Sequence, residues 1–180
     1  MNVPNVLTII RFFLVPAFAY AYLYARNIPA SAIILAASGL TDFLDGFIAR
    51  KYNLVTKWGT AFDPIADKFT QITVAFCIAL SGYTTMWLIF GILVVKEVFM
   101  ILGGIKLYKK GDIVMGANWY GKVATVMIYF VFLVLILFGT SLPEIVKYIL
   151  FISVIGLSVF SFIRYAAVFV GMRKKLKELQ

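Results

Sequence analysis

Four carboxylates set the chemistry open to this sequence. Asp42, Asp45, Asp63 and Asp67 are half of its eight acidic residues, and all four fall between positions 42 and 67. Asp42 and Asp45 are three residues apart and Asp63 and Asp67 four apart, so on helices each pair shares one face. Acidic side chains at membrane depth are costly and face a polar interior, paired with cations or with each other. A short hairpin between two antiparallel helices brings the two pairs together, and such a group repels itself unless hard divalent cations sit among the oxygens. Carboxylate oxygen suits magnesium, calcium or manganese, so the spacing implies a site for one or two metals. Gly46, Ala49 and Gly59 lie within or beside the acidic segment, where missing side chains let helices or a substrate phosphate approach closely. Arg50, Lys51, Lys57 and Lys68 surround it, as expected for a site that receives an anionic, metal-bridged substrate. The sequence holds no histidine, so proton transfer falls to a carboxylate. Together these residues point to phosphoryl chemistry.

Basic residues elsewhere have two readings each. Arg11 follows the polar Asn5 and Thr8; it either snorkels to the surface or binds a substrate phosphate. Lys96 and Glu97 form an adjacent ion pair or line a pocket, with the pocket favoured because helical neighbours point to different sides. Arg164 has the same two readings. The run Arg173 to Lys177 reads as a lipid-facing stop signal.

The elements that must position these groups are membrane spans. Of the 180 residues 63% are hydrophobic and 14% charged, with mean hydropathy +0.97, against roughly 45–50% and about 25% in soluble domains. That excludes a soluble globular protein. A span takes about 20 apolar residues, which leaves room for about six and no separate soluble domain, so residues 1–180 read as one membrane domain. Apolar windows run Val6 to Tyr24, Ala30 to Phe47, Ala61 to Leu80, Met86 to Tyr108, Val123 to Phe138 and Ile145 to Val170. The first reads as a retained span and not a cleaved signal, because no basic segment precedes it and no small-residue cleavage site fits its end. The net charge of +9 is assigned to cytoplasmic loops and anionic lipid, not to nucleic acid. Arg50, Lys51 and Lys57, then Lys106, Lys109, Lys110 and Lys122, then the C-terminal basic run fall at alternate ends of the spans. The positive-inside rule therefore predicts an all-α six-helix bundle with both termini in the cytoplasm. The acidic site then sits at the cytoplasmic interface of the cell membrane. Cys77, the one cysteine, can build no disulfide or zinc cluster within the chain.

The segment Asp42-x2-Asp45-Gly46-x2-Ala49-Arg50-x8-Gly59-x3-Asp63-x3-Asp67 resembles, at every fixed position, the signature of the CDP-alcohol phosphotransferases. Eight residues at fixed spacing make the match specific. The resemblance implies a six-helix membrane enzyme, commonly a homodimer, that passes a substituted phosphate from a CDP-linked donor to an alcohol and releases CMP. It implies Asp42, Asp45 and Asp63 as metal ligands for two magnesium or manganese ions. Asp67, which the four-carboxylate spacing also places among the ligands, becomes the general base. Gly46, Ala49 and Gly59 make room for the nucleotide, with Arg50 beside it. The stretch Asn2 to Arg11, Asp63-Pro64-Ile65-Ala66-Asp67-Lys68 and Gly121-Lys122-Val123-Ala124-Thr125 are similar to the bacterial branch that makes phosphatidylglycerophosphate. That branch joins CDP-diacylglycerol to glycerol 3-phosphate. Within it Lys122, Arg11 and Lys96 are candidates for binding phosphate, and Asn5, Thr8, Lys68 and Arg164 for lining the substrate site. In the fourth span that branch usually carries Arg-Glu and a further Arg, where this chain has Lys96-Glu97 and then Gly103-Gly104. A sister branch, the cardiolipin synthases, shares the amino-terminal motif and uses phosphatidylglycerol as acceptor.

Two alternatives lie outside this class. A small ion or metal transporter also places acids in spans. An intramembrane prenyltransferase uses aspartate-rich motifs with magnesium, but with two separated motifs in a larger bundle, where this chain has one cluster.

Overall fold

A computed structural model describes residues 3–52, 57–111 and 119–178. Every regular element among them is helical. Helix α1 covers Val3–Ala19 and runs on through a π-helical turn, Tyr20–Tyr24. It is followed by α2 over Ile28–Lys51, α3 over Lys57–Leu80, α4 over Thr84–Gly111, α5 over Trp119–Phe138 and α6 over Glu144–Glu178. The order matches the six apolar windows, and the helices overrun them. The polar stretch from Arg50 to Gly59, which falls between the second and third windows, is helical at both ends: α2 holds to Lys51 and α3 starts at Lys57. Lys, Arg and Glu are good helix formers, so polarity alone does not end a helix. The stretch from Lys109 to Asn118, between the fourth and fifth windows, likewise begins inside α4, and its residues 112–118 are outside the described ones.

Local chemistry explains the tight turns. Arg26 takes a left-handed backbone angle, φ 47, which reverses the chain after the π turn. Asn27 then caps α2, its side-chain oxygen accepting from the Ala30 amide at 3.0 Å, which satisfies one of the unpaired amides of the first turn. Pro29 at the start of α2 has no amide to leave unpaired. Gly82, at φ 101, makes the turn between α3 and α4 in a conformation that side chains disfavour.

The six helices close a ring in the order α1, α2, α5, α6, α4, α3, with α3 also touching α5. Leu35, Val74, Ile78, Leu93, Ile128, Phe132 and Phe151 fill its middle. Gly39 lets α2 approach the ring of Tyr129 on α5, where an added methyl would stand 3.4 Å from the ring. The outer surface is apolar, with Phe13, Ile33, Val126, Ile145 and Ile152 among its most exposed residues. Buried polar groups gather inside, among them Arg11, Asp45, Asp67, Gln71, Lys96 and Glu97. Apolar outside and polar inside is the arrangement that hydrocarbon solvent selects.

Three helices are long and apolar enough to cross a membrane by length and composition, over Val6–Tyr24, Ile28–Asp45 and Glu144–Arg164; Val123–Phe138 is a shorter apolar helix. The six helices together fit a membrane bundle. The turn of the expected α2–α3 hairpin, residues 53–56, is outside the described ones. Among the described residues α2 and α3 touch little, and α1 packs on both. From α1 a cation, Arg11, reaches the acids of α2.

Gly139 closes α5 where any side chain would collide with the Leu135 carbonyl and the Tyr83 hydroxyl. Gly139→Ala is therefore expected to cost about 1–3 kcal/mol, as overpacking does. A lowered midpoint of thermal unfolding in mild detergent checks this, and an unchanged midpoint refutes it.

Candidate active site

The site is built on α1, α2 and α3. Arg11 of α1, wholly buried, reaches α2 and pairs with both of its acids. Its Nη1 stands 2.9 Å from Asp42 Oδ1, and its Nη2 donates to Asp45 Oδ2. The three-residue spacing of the acids lets one guanidinium stand against both, as a hydrogen bond to Asp45 and an ion pair to Asp42. Asp45 is buried, and the Asp42 side chain is 33% exposed. Arg11 thus does not snorkel, because carboxylates inside the bundle offer it better partners than the surface. Thr8 is buried one turn before Arg11 on the same helix.

Asp67, on α3, is buried and held on two sides. Gln71, one turn further along α3, donates from Nε2 to Asp67 Oδ1 at 3.1 Å and to Oδ2 at 3.0 Å. Lys68 Nζ lies 3.3 Å from Asp67 Oδ2, 3.5 Å from Thr125 Oγ1 of α5 and 3.7 Å from Glu97 Oε1 of α4. Lys96 Nζ completes the chain, 3.0 Å from the same Glu97 oxygen. Lys96 and Glu97 are accordingly both an ion pair and part of the buried polar interior. One line of alternating charge, Asp67, Lys68, Glu97, Lys96, joins α3 to α4.

Gln71 and Glu97 are the residues that sequence reasoning left without a role in the site. A signal for Gln71 existed: an amide four residues after an acid shares its helical face. Asp63 lies on α3 one turn before Asp67, but its side chain is outside the described ones. The same holds for Asn5, Gly46, Ala49, Arg50, Gly59 and Lys122. Arg164 is exposed on α6. Among the described residues no three acidic groups stand close enough to hold a metal ion, while Arg11 supplies the positive charge beside Asp42 and Asp45. The donor chemistry still fits a hard cation, since every polar side-chain atom of Asp42, Asp45 and Asp67 is a carboxylate oxygen.

Arg11→Leu strips the cation from a buried carboxylate, a change that typically costs roughly 3–5 kcal/mol. Chemical unfolding in detergent is expected to show that loss, with Arg11→Lys intermediate because an ammonium lacks the fork. Equal stability of Arg11→Leu and the unsubstituted chain would contradict the pairing.

The chain is similar in sequence to several known proteins. Over 129 residues the chain is 36% identical to a CDP-diacylglycerol--glycerol-3-phosphate 3-phosphatidyltransferase of Aquifex aeolicus, covering 71% of each protein. A protein of that name from Rickettsia felis is 50% identical over 70 residues, 37% of this chain and 38% of the relative. A candidate cardiolipin synthase of Mycobacterium tuberculosis is 33% identical over 126 residues, 69% of this chain and 59% of that one. The match thus spans less than two thirds of the Rickettsia and Mycobacterium relatives. Residues 1–170 match the CDP-alcohol phosphatidyltransferase family, and with nearly its whole length so matched the chain belongs to that family.

Proposed function

We propose that this chain transfers the phosphatidyl group of CDP-diacylglycerol to the hydroxyl of glycerol 3-phosphate, yielding phosphatidylglycerophosphate and CMP. The observation that carries the reading is Asp67: a buried carboxylate, fixed through both oxygens by Gln71 and flanked by Lys68. It stands at the end of a motif whose other acids lie on neighbouring positions of α2 and α3. The names of the Aquifex and Rickettsia relatives support the same donor and acceptor. Family membership favours an enzyme over the ion transporter.

The residues divide the work. Asp42, Asp45 and Asp63, with Asp67 close by, would hold magnesium or manganese, as two ions. When bound, the metal neutralises the donor pyrophosphate and stabilises CMP as leaving group. Asp67 takes the proton of the acceptor hydroxyl as that oxygen attacks the phosphorus next to the lipid and the bond to CMP breaks. Gln71 keeps the carboxylate facing the acceptor. Lys68 and Lys96, with Arg50, Lys122 and Arg164, supply positive charge for the phosphates. Gly46, Ala49 and Gly59 leave room for the nucleotide, and Asn5 and Thr8 line the amino-terminal side. Arg11 orders Asp42 and Asp45 from behind.

The wider setting is part of the same reading. The chain is one domain of six spans in the cell membrane, with both termini and the site at the cytoplasmic face. It works as a homodimer among membrane lipids. A second reading within the family, cardiolipin synthesis from phosphatidylglycerol, is favoured by the Mycobacterium relative and by Lys96-Glu97 in α4.

An acceptor panel tests the choice. Purified protein with magnesium or manganese is expected to release CMP from CDP-diacylglycerol with glycerol 3-phosphate, and not with serine or inositol phosphate. Phosphatidylglycerol as the productive acceptor, with cardiolipin found by mass, would establish the second reading instead. Asp67→Asn is expected to abolish CMP release while keeping the unfolding midpoint; undiminished turnover would remove the role of base. Gln71→Leu is expected to lower kcat about tenfold, within the range lost when a catalytic group is poorly oriented. Its KM should hold, and an unchanged kcat would make Gln71 a packing residue only.

A further inference from the structure

A groove of about 350 Å³ lies between α4 and α6. Helix α4 lines it with Trp87, Leu88, Gly91 and Lys96, and α6 with Ser158 and Phe162. Its wall is apolar except where Lys96 and Ser158 contribute. Both are buried, and the Ser158 hydroxyl has no hydrogen-bond partner. A buried hydroxyl without a partner is costly unless something supplies one. Gly91 keeps the wall open, since a methyl added there would meet nothing within 4 Å.

The polar end of the groove is also the end nearest the reactive carboxylate. Lys96 connects through Glu97 and Lys68 to Asp67, each link an ion pair. From that end α4 runs nine residues back to Trp87, about 13 Å at helical rise, and every groove residue on the way is apolar or glycine. A phospholipid has the same polarity: a phosphate and ester at one end and a hydrocarbon chain leading away. A second protein helix would need no such gradient.

We propose that this groove holds one acyl chain of the lipid donor, with the ester end toward Ser158 and Lys96 and the tail along Gly91 toward Trp87. The inference rests on the reading of the donor as CDP-diacylglycerol and adds where its hydrocarbon lies. It makes Gly91 a determinant of donor chain length. A large side chain there fills the groove from a position that has space for it, and so blocks the tail without displacing the helix.

The test compares dioleoyl and dihexanoyl forms of CDP-diacylglycerol in mixed micelles. Gly91→Phe is expected to raise KM for the dioleoyl donor about tenfold, roughly the worth of two methylenes lost from an apolar wall. KM for the dihexanoyl donor should stay within about twofold, with kcat retained for both. As a second measurement, less demanding of the fold, Gly91→Cys in a Cys77→Ala chain is labelled with an apolar maleimide. Dioleoyl donor is expected to slow labelling severalfold and dihexanoyl donor to leave it unchanged. Equal effects of Gly91→Phe on the two donors, or labelling indifferent to both, overturn the groove assignment and leave the donor assignment standing. Disulfide-linked dimers of the Gly91→Cys chain that exclude the label overturn it too, by making the groove a contact between copies. Absence of CMP release from the unsubstituted chain with either donor overturns the donor assignment itself.

Discussion

One electrostatic demand organises this structure: carboxylates inside an apolar bundle must be neutralised by partners held within reach. Hydrocarbon offers no water to solvate a charge, so each acid needs a partner within hydrogen-bonding reach. Arg11 meets that need for Asp42 and Asp45 from a different helix, and Lys68 and Gln71 meet it for Asp67 from within α3. Helix order follows. The cation on α1 ties α1 to α2, and α1 packs on α3 as well, so the two acidic helices lie on either side of it.

The same demand separates what can be read in the residue order from what cannot. Spacing identifies the acids, because periodicity within a helix is local. Composition identifies the six helices, and their order in the chain agrees with the structure. The contact partners of those helices are not local. Asp42 and Asp67 belong to consecutive helices, and a short connector suggests direct packing. The intrusion of α1 depends on a pairing between positions 11 and 45 that no window of sequence contains. Arg11 illustrates the difficulty: its surroundings read equally as a surface anchor or a phosphate ligand, and its location is decided by acids that lie far along the chain. Helix ends at Lys51 and Lys57 were missed for another reason, since charged residues that would leave a membrane remain good helix formers.

Gln71 and the pair of Lys96 and Glu97 show how a polar interior extends beyond the residues that carry a motif. Each occupies a position that hydropathy assigns to a span. Each is buried against charge, and removing any one leaves a partner uncompensated in a low dielectric. The polar interior is therefore better described as two groups, Arg11 with Asp42 and Asp45 across α1 and α2 and Asp67 with its partners across α3, α4 and α5, than as a motif on two helices. Thr125 of α5 joins it through Lys68, and Gly39 keeps α5 close enough to belong.

The placement of Arg11 bears on how the chain is made. Synthesis delivers α1 to the bilayer before α2, and its guanidinium lacks these partners until Asp42 and Asp45 have also emerged. A lone arginine at that depth is disfavoured, so α1 cannot settle by itself. Insertion of α1 is thus coupled to that of α2: the two settle as a neutralised pair, and α3 packs against α1 afterwards.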